Sequence, residues 1–225
     1  MIQKNRVLIL DFDSTLISIE SLDLLAEICL QNKINSASII KNIKNLTSLG
    51  MKGKITFQDS LRKRLRYLQI EDYHFDQLNK KVKNFISPSI IKNQIWLKKN
   101  RDNIYIFSGG FKRVIDPIAL SLGLKKNQVF GNEFLYDNND SIIGLDFQNP
   151  LSQSNGKFLL AKKLGMKKNI IMTGDGSTDA EIKQLHKNAV FIAFTENVYR
   201  KSVVDIADYN AKTFDDVIDY VSNMK

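Results

Sequence analysis

Four short apolar runs, each ending on a polar or glycine-rich turn, constrain this chain more than any other feature. Val7-Leu8-Ile9-Leu10 runs into Asp11, residues 104–107 into Ser108, 170–172 into Gly174-Asp175, and 190–194 into Thr195-Glu196. Continuous apolar runs of this length suit strands covered on both faces, as in a parallel sheet. Helical spacings fill 90–99, 114–122 and 158–164. The last two are closed by Gly123 and Gly165, residues suited to the left-handed turn that ends a helix. Strand and helix in alternation predict an α/β fold, a Rossmann-like doubly wound and mostly parallel sheet.

Two segments break the alternation. Residues 18–85 carry helical periodicity without a convincing strand, too long a stretch for a loop. They are expected to form a helical cap inserted after the first strand into a core of 1–17 and 86–225. Within 133–147, Phe134-Leu135-Tyr136 and Ile142-Ile143-Gly144-Leu145 flank Asp137-Asn138-Asn139-Asp140, which predicts a small β-hairpin excursion.

At 225 residues the chain is long enough to bury a substantial core, and only three prolines argue against long disordered linkers. Its single cysteine, Cys29, excludes an internal disulfide and falls at helical spacing with Leu22, Leu25 and Ile28, a core position. No segment reads as a signal peptide or membrane span, so a cytoplasmic protein is expected. The net charge of +9 comes from lysines scattered in ones and twos, with no arginine-rich tract. That pattern favours a solvated basic face that attracts small anions, with neither nucleic acid nor membrane as partner.

In an open α/β sheet, ligands bind beyond the carboxyl ends of the strands, so the residues just after each run should converge. Hydrolysis of a phosphate ester needs a nucleophile, a proton donor for the leaving oxygen, and positive charge on the phosphoryl group. Asp11 is placed to attack phosphorus and form an aspartyl-phosphate, and Asp13 to act as acid and then base. Asp11 and Asp175 offer hard oxygen ligands suited to Mg2+, with Asp179 a further ligand or one acting through water. Ser108 offers a hydroxyl to phosphate, Gly109-Gly110 lets backbone amides come close, and Lys157 adds a point charge.

Together, Asp11-x-Asp13-x-Thr15, Ser108, Lys157 and Gly174-Asp175-Gly176-x-x-Asp179 resemble the four motifs of the haloacid dehalogenase superfamily. The resemblance implies a Rossmann-like core, an aspartyl-phosphate intermediate, and Mg2+ held by the Asp11 carboxylate, the Asp13 backbone carbonyl and Asp175. It narrows to the phosphoserine phosphatases, because Asp11-Phe12-Asp13-Ser14-Thr15-Leu16 is followed by Glu20 and then by Met51-x-Gly53-Lys54-Ile55-x-Phe57-x-x-Ser60-Leu61-x-x-Arg64. By similarity, Glu20 would bind the amino group of phosphoserine, Arg64 would bind its carboxylate, and Met51 and Phe57 would close over it. Thr178 stands where many members of the superfamily carry asparagine, and it keeps a hydroxyl donor. The implied role is a phosphatase of serine biosynthesis acting on a small phosphorylated metabolite, as a monomer or homodimer.

Three other readings compete. A capped phosphatase for a phosphosugar or methionine-salvage intermediate would share the core but not need the Glu20 and Arg64 pair. A phospho-receiver domain also uses a strand-end Asp, Mg2+, a hydroxyl and a Lys, but lacks the insert and an acid two residues after its Asp. A nucleic-acid-binding protein rests on charge alone.

Overall fold

The computed structural model describes residues 1–3, 5–167 and 169–224. Among the described residues there are eight strands: β1 (Arg6–Leu10), β2 (Ile104–Phe111), β3 (Val129–Asn132), β4 (Phe134–Tyr136), β5 (Ile142–Leu145), β6 (Asn169–Gly174), β7 (Val190–Phe194) and β8 (Tyr209–Ala211). Six of them form one parallel sheet in the order β3-β2-β1-β6-β7-β8, and β4 pairs antiparallel with β5. From β1 the chain builds outward to β2 and β3, then returns to lay β6 on the other side of β1. The order reverses there, so the β1/β6 boundary is where the carboxyl ends of the strands open a crevice.

The apolar runs face both ways, as strand geometry requires. Leu8, Leu10, Ile104, Ile106, Ile171 and Ile192 belong to the apolar cluster on one face, and Val7, Ile9, Phe107, Ile170, Met172 and Phe191 to that on the other. Helices cover both faces: α1 (Ser21–Cys29), α2 (Ser36–Met51), α3 (Phe57–Leu65), α4 (Asp72–Val82), α5 (Pro88–Lys92), α6 (Gln94–Asn100), α7 (Lys112–Ser121), α8 (Gly156–Lys163), α9 (Lys201–Val204) and α10 (Phe214–Asn223). α7 and α8 are followed by Gly123 and Gly165, both at positive φ.

The insert comprises α1–α4. Thr56 starts α3 by accepting the Asp59 amide through its hydroxyl at 3.1 Å, and Glu71 with His74 makes a capping box at α4. Its two linkers run side by side, with Ile17 bridged antiparallel to Ile86, Ser18 N–H donating to Phe85 O at 2.7 Å and Ser87 N–H to Leu16 O at 3.0 Å. Leu22, Leu25, Ile28, Cys29, Phe75, Leu78 and Val82 of α1 and α4 join the main apolar cluster, whereas Ala26, Leu30 and Ile43 form a small separate one beneath α2. Cys29 is buried.

Several boundaries differ from the sequence reading. The single helix expected over 90–99 is two, α5 and α6, because Asn93 turns its side chain back to donate to Ser89 O at 2.9 Å and leaves helical backbone angles. The sequence places Ser108, Gly109 and Gly110 beyond the second strand, whereas they lie within β2. The extended backbone continues to Phe111 there, with a shift of register between Phe107 and Phe111. Strands β3 and β8 and helix α10 have no counterpart in the sequence reading. No helix among the described residues is long and apolar enough to cross a membrane.

Candidate active site

At the crevice, β1 ends and the chain makes a tight turn over Phe12–Leu16. Asp11 is tied down by its amide, which donates to Thr173 O of β6 at 2.9 Å. Ser14 adopts a left-handed conformation, φ 52°, uncommon for a residue with a side chain and costing on the order of 1–3 kcal/mol. Its hydroxyl donates to Glu20 Oε1 at 2.8 Å, and its amide donates to Ile19 O at 3.0 Å. Asp13 accepts the Ser21 amide at 2.9 Å, an unused N–H in the first turn of α1.

The cavity above this turn is lined by Asp11, Asp13, Glu20, Met51, Phe57, Arg64, Ser108, Gly109, Lys157 and Thr178. Every residue singled out for catalysis or substrate in the sequence is therefore at one place. Lys157, in the first turn of α8, reaches Asp11 Oδ1 at 2.9 Å and also pairs with Asp179. Asp179 further accepts the Gly176 amide at 2.8 Å and is fully buried. The Phe57 ring rests on Gly109, and Met51 lies over Gly176, its carbonyl accepting the Ser177 amide at 3.3 Å. The Arg62 guanidinium stacks 3.9 Å from the Phe147 ring centre, so α3 is held against the segment after β5.

Burial sets the charge balance. It pushes the Asp11 carboxyl up to about 7, with Lys157 opposing the shift. Asp13 is driven well above the usual carboxylate range, first by burial and then by the charge of Glu20. A carboxyl that holds its proton more tightly than usual suits donation to a leaving alkoxide. Burial also opposes the charge of Lys157, but Asp11 and Asp179 more than offset this and hold it protonated.

Carboxylate oxygens of Asp11, Asp175 and Asp179 lie within 4.8 Å of one another, all three residues buried. With Asp13, Glu20 and Glu181 they make six carboxyls, facing, among the described residues, the three cations Lys157, Arg64 and Arg200. An all-oxygen donor set short of positive charge fits a hard divalent cation. Thr15 adds a hydroxyl that donates to Asp175 Oδ1 at 3.4 Å.

A family model for haloacid dehalogenase-like hydrolases matches residues 8–182, the span from β1 through the last of these carboxylates. The chain belongs to the haloacid dehalogenase-like hydrolases. Among relatives of this haloacid dehalogenase-like chain, the phosphoserine phosphatase of Drosophila melanogaster is 32% identical, over 97% of this chain and 78% of the relative. That of Homo sapiens is 30% identical, over 91% and 88%. A phosphoserine phosphohydrolase-like protein from Francisella tularensis superposes with a TM-score of 0.84 at 32% identity, covering 96% of this chain and 99% of that one. A substrate-bound phosphoserine phosphatase complex gives 0.74 at 25% identity, over 97% and 99%.

Arg200 is a site residue of this haloacid dehalogenase-like hydrolase that sequence reasoning missed. It pairs with the Asp175 carboxylate, donates to the Asp175 carbonyl at 3.1 Å, and stands 3.7 Å from Glu20 Oε1. Its place shortly after the fourth apolar run marks it only as near a strand end, and its partners are remote in the sequence. Glu181 and Gln153, which also line the cavity, were missed as well, and Glu181 lies only two residues beyond Asp179.

Proposed function

We propose that the protein is a magnesium-dependent phosphoserine phosphatase that converts O-phospho-L-serine to serine and phosphate. The observation that carries this reading is a single cavity with Asp11, Asp13 and Lys157 at its floor and an acid and a base, Glu20 and Arg64, in its wall. A phosphorylated amino acid matches those two charges as well as the phosphate subsite, whereas the sugar part of a phosphosugar offers them hydroxyls and no opposite charge. Its relatives in Drosophila melanogaster and Homo sapiens bear the matching name.

In this reading residues 18–85 act as the cap, and Met51 and Phe57 close over the substrate. Glu20 takes the ammonium group and Arg64 the carboxylate, the guanidinium fork matching two oxygens at once. Ser108 and the Gly109 amide hold the phosphoryl group, with Lys157 and Thr178 beside them. Asp11 attacks phosphorus, and the bond to the serine oxygen breaks as Asp13 gives that oxygen its proton. Water then attacks the phosphoryl group, releasing its proton to Asp13 and phosphate from Asp11. Mg2+, held by Asp11, the Asp13 carbonyl and Asp175, supplies charge neutralisation that lets a carboxylate approach an anionic ester. Asp179 contributes by fixing Lys157. A role in cytoplasmic serine biosynthesis goes with this substrate.

Phosphate release from L- and D-phosphoserine, phosphothreonine, phosphosugars and p-nitrophenyl phosphate, with Mg2+ and with chelator, tests the proposal. Mg2+-dependent preference for phosphoserine is expected. Preference for a phosphosugar would overturn the substrate, and absence of turnover would overturn the reaction.

A further inference from the structure

The turn after β7 touches the hinge of the insert and the active site together. Its Asn197 side chain points its amide nitrogen at the base of the two linkers, 2.8 Å from Ser87 Oγ, 3.1 Å from Ser14 O, 3.4 Å from Thr15 O and 3.5 Å from Ile17 O. An amide has two protons, so the two nearest acceptors, one on each side of the hinge, take them and the other carbonyls share. Ser87 is fully buried and passes the connection on, its hydroxyl donating to Thr15 O at 2.7 Å. The neighbouring Glu196 accepts the Ser89 amide at 3.0 Å, so the same turn also fixes the first turn of α5, where the chain leaves the insert.

We propose that Asn197 is a positioning residue that clamps both linkers of the insert and, by holding the Ser14 carbonyl, aims the Ser14 hydroxyl at Glu20. The reasoning is geometric. A left-handed serine persists only where its surroundings over-determine it. The Ser14 amide is held by Ile19, its hydroxyl is spent on Glu20, and Asn197 takes the carbonyl. Without that third tie, Ser14 is free to relax toward ordinary backbone angles, which turns its hydroxyl away from Glu20. Asn197 touches neither Asp11 nor the phosphate subsite, so its effect falls on recognition of the amino group. This rests on the phosphoserine reading.

Asn197→Ala and the similarly shaped Asn197→Leu, which has no donor protons, separate this role from packing. The measurement is kcat/KM for phosphoserine and for p-nitrophenyl phosphate, which has no amino-acid end. Both variants are expected to lose at least about tenfold on phosphoserine, chiefly through KM, and less than about threefold on p-nitrophenyl phosphate. Ser87→Ala, which removes the other acceptor of the clamp, should shift the ratio in the same direction and serves if either Asn197 variant fails to fold. Parallel losses on both substrates, or wild-type behaviour of Asn197→Leu, would overturn the assignment. Wild-type indifference to phosphoserine would instead sink the substrate reading, and this inference with it.

Discussion

Adding one methyl group at Gly109 should prop the insert open. A Cβ built there lies 2.8 Å from Phe57 Cε2 and 3.2 Å from Cε1, and nearer still to Cζ. Carbon atoms sit comfortably at ~3.5–4.0 Å, so the ring must retreat by roughly 1 Å, taking the start of α3 with it. Gly109 is outside the left-handed region, so alanine adds no backbone strain, and its amide remains available to phosphate. Overpacking of this kind costs about 1–3 kcal/mol, and only the closed form bears it. Closure is then disfavoured by roughly 5- to 150-fold, which appears as a raised KM for phosphoserine with the melting temperature little changed. A double-mutant cycle isolates the contact: Phe57→Ala removes the obstacle, so Gly109→Ala should cost almost nothing in that background. Independent, additive effects of the two substitutions, or wild-type KM in Gly109→Ala, would refute the reasoning.

Other expectations concern the floor of the site. Asp11→Asn should abolish phosphate release while leaving the fold intact, since Lys157 keeps its second partner Asp179; measurable turnover would remove Asp11 as nucleophile. Arg64→Lys keeps the charge but loses the fork, and should lower kcat/KM for phosphoserine at least about tenfold while sparing p-nitrophenyl phosphate. Burial raises the Glu181 carboxyl from 4.5 to about 7, so its neutral form favours folding. That contribution is complete below pH 4.5 and lost as pH rises through 7. After discounting for partial exposure it is about 2 kcal/mol, so denaturant midpoints of metal-free protein should fall from pH 5 to 8, and fall less in Glu181→Gln. Mg2+ at about 100 times its dissociation constant should add about 2.7 kcal/mol to stability, and Asp175→Asn should erase that increment.

What the sequence makes legible follows from local chemistry. The four apolar runs became the four inner strands because a strand covered on both faces needs unbroken apolar sequence, and Val7-Leu8-Ile9-Leu10 has nothing else to do. Asp11, Ser108, Lys157 and Asp175 were legible because strand ends and helix starts put short polar motifs in one crevice. Less legible were elements whose sequence carries little period. β3 is four residues with a glycine inside it, and β8 is three residues with Tyr209 and Asn210 exposed, so neighbours rather than composition specify them. Arg200 escaped because its importance lies in partners 25 and 180 residues away, Asp175 and Glu20, a distance no window of sequence spans. Asn197 is hidden for the same reason.

The sharing of α1 and α4 between insert and main core bears on how this scaffold can diversify. Were residues 18–85 exchanged as a cassette, Leu25, Phe75, Leu78 and Val82 would leave holes against Phe111 and its neighbours, each truncation of such a side chain to alanine being worth roughly 2–5 kcal/mol. α2 is the lightly rooted helix, its Ile43 joining only the small separate cluster. New substrate preferences are thus most accessible by redrawing that outer helix on a retained pedestal, so that chemistry and foldability stay with one part of the polypeptide while selectivity is free to drift with another.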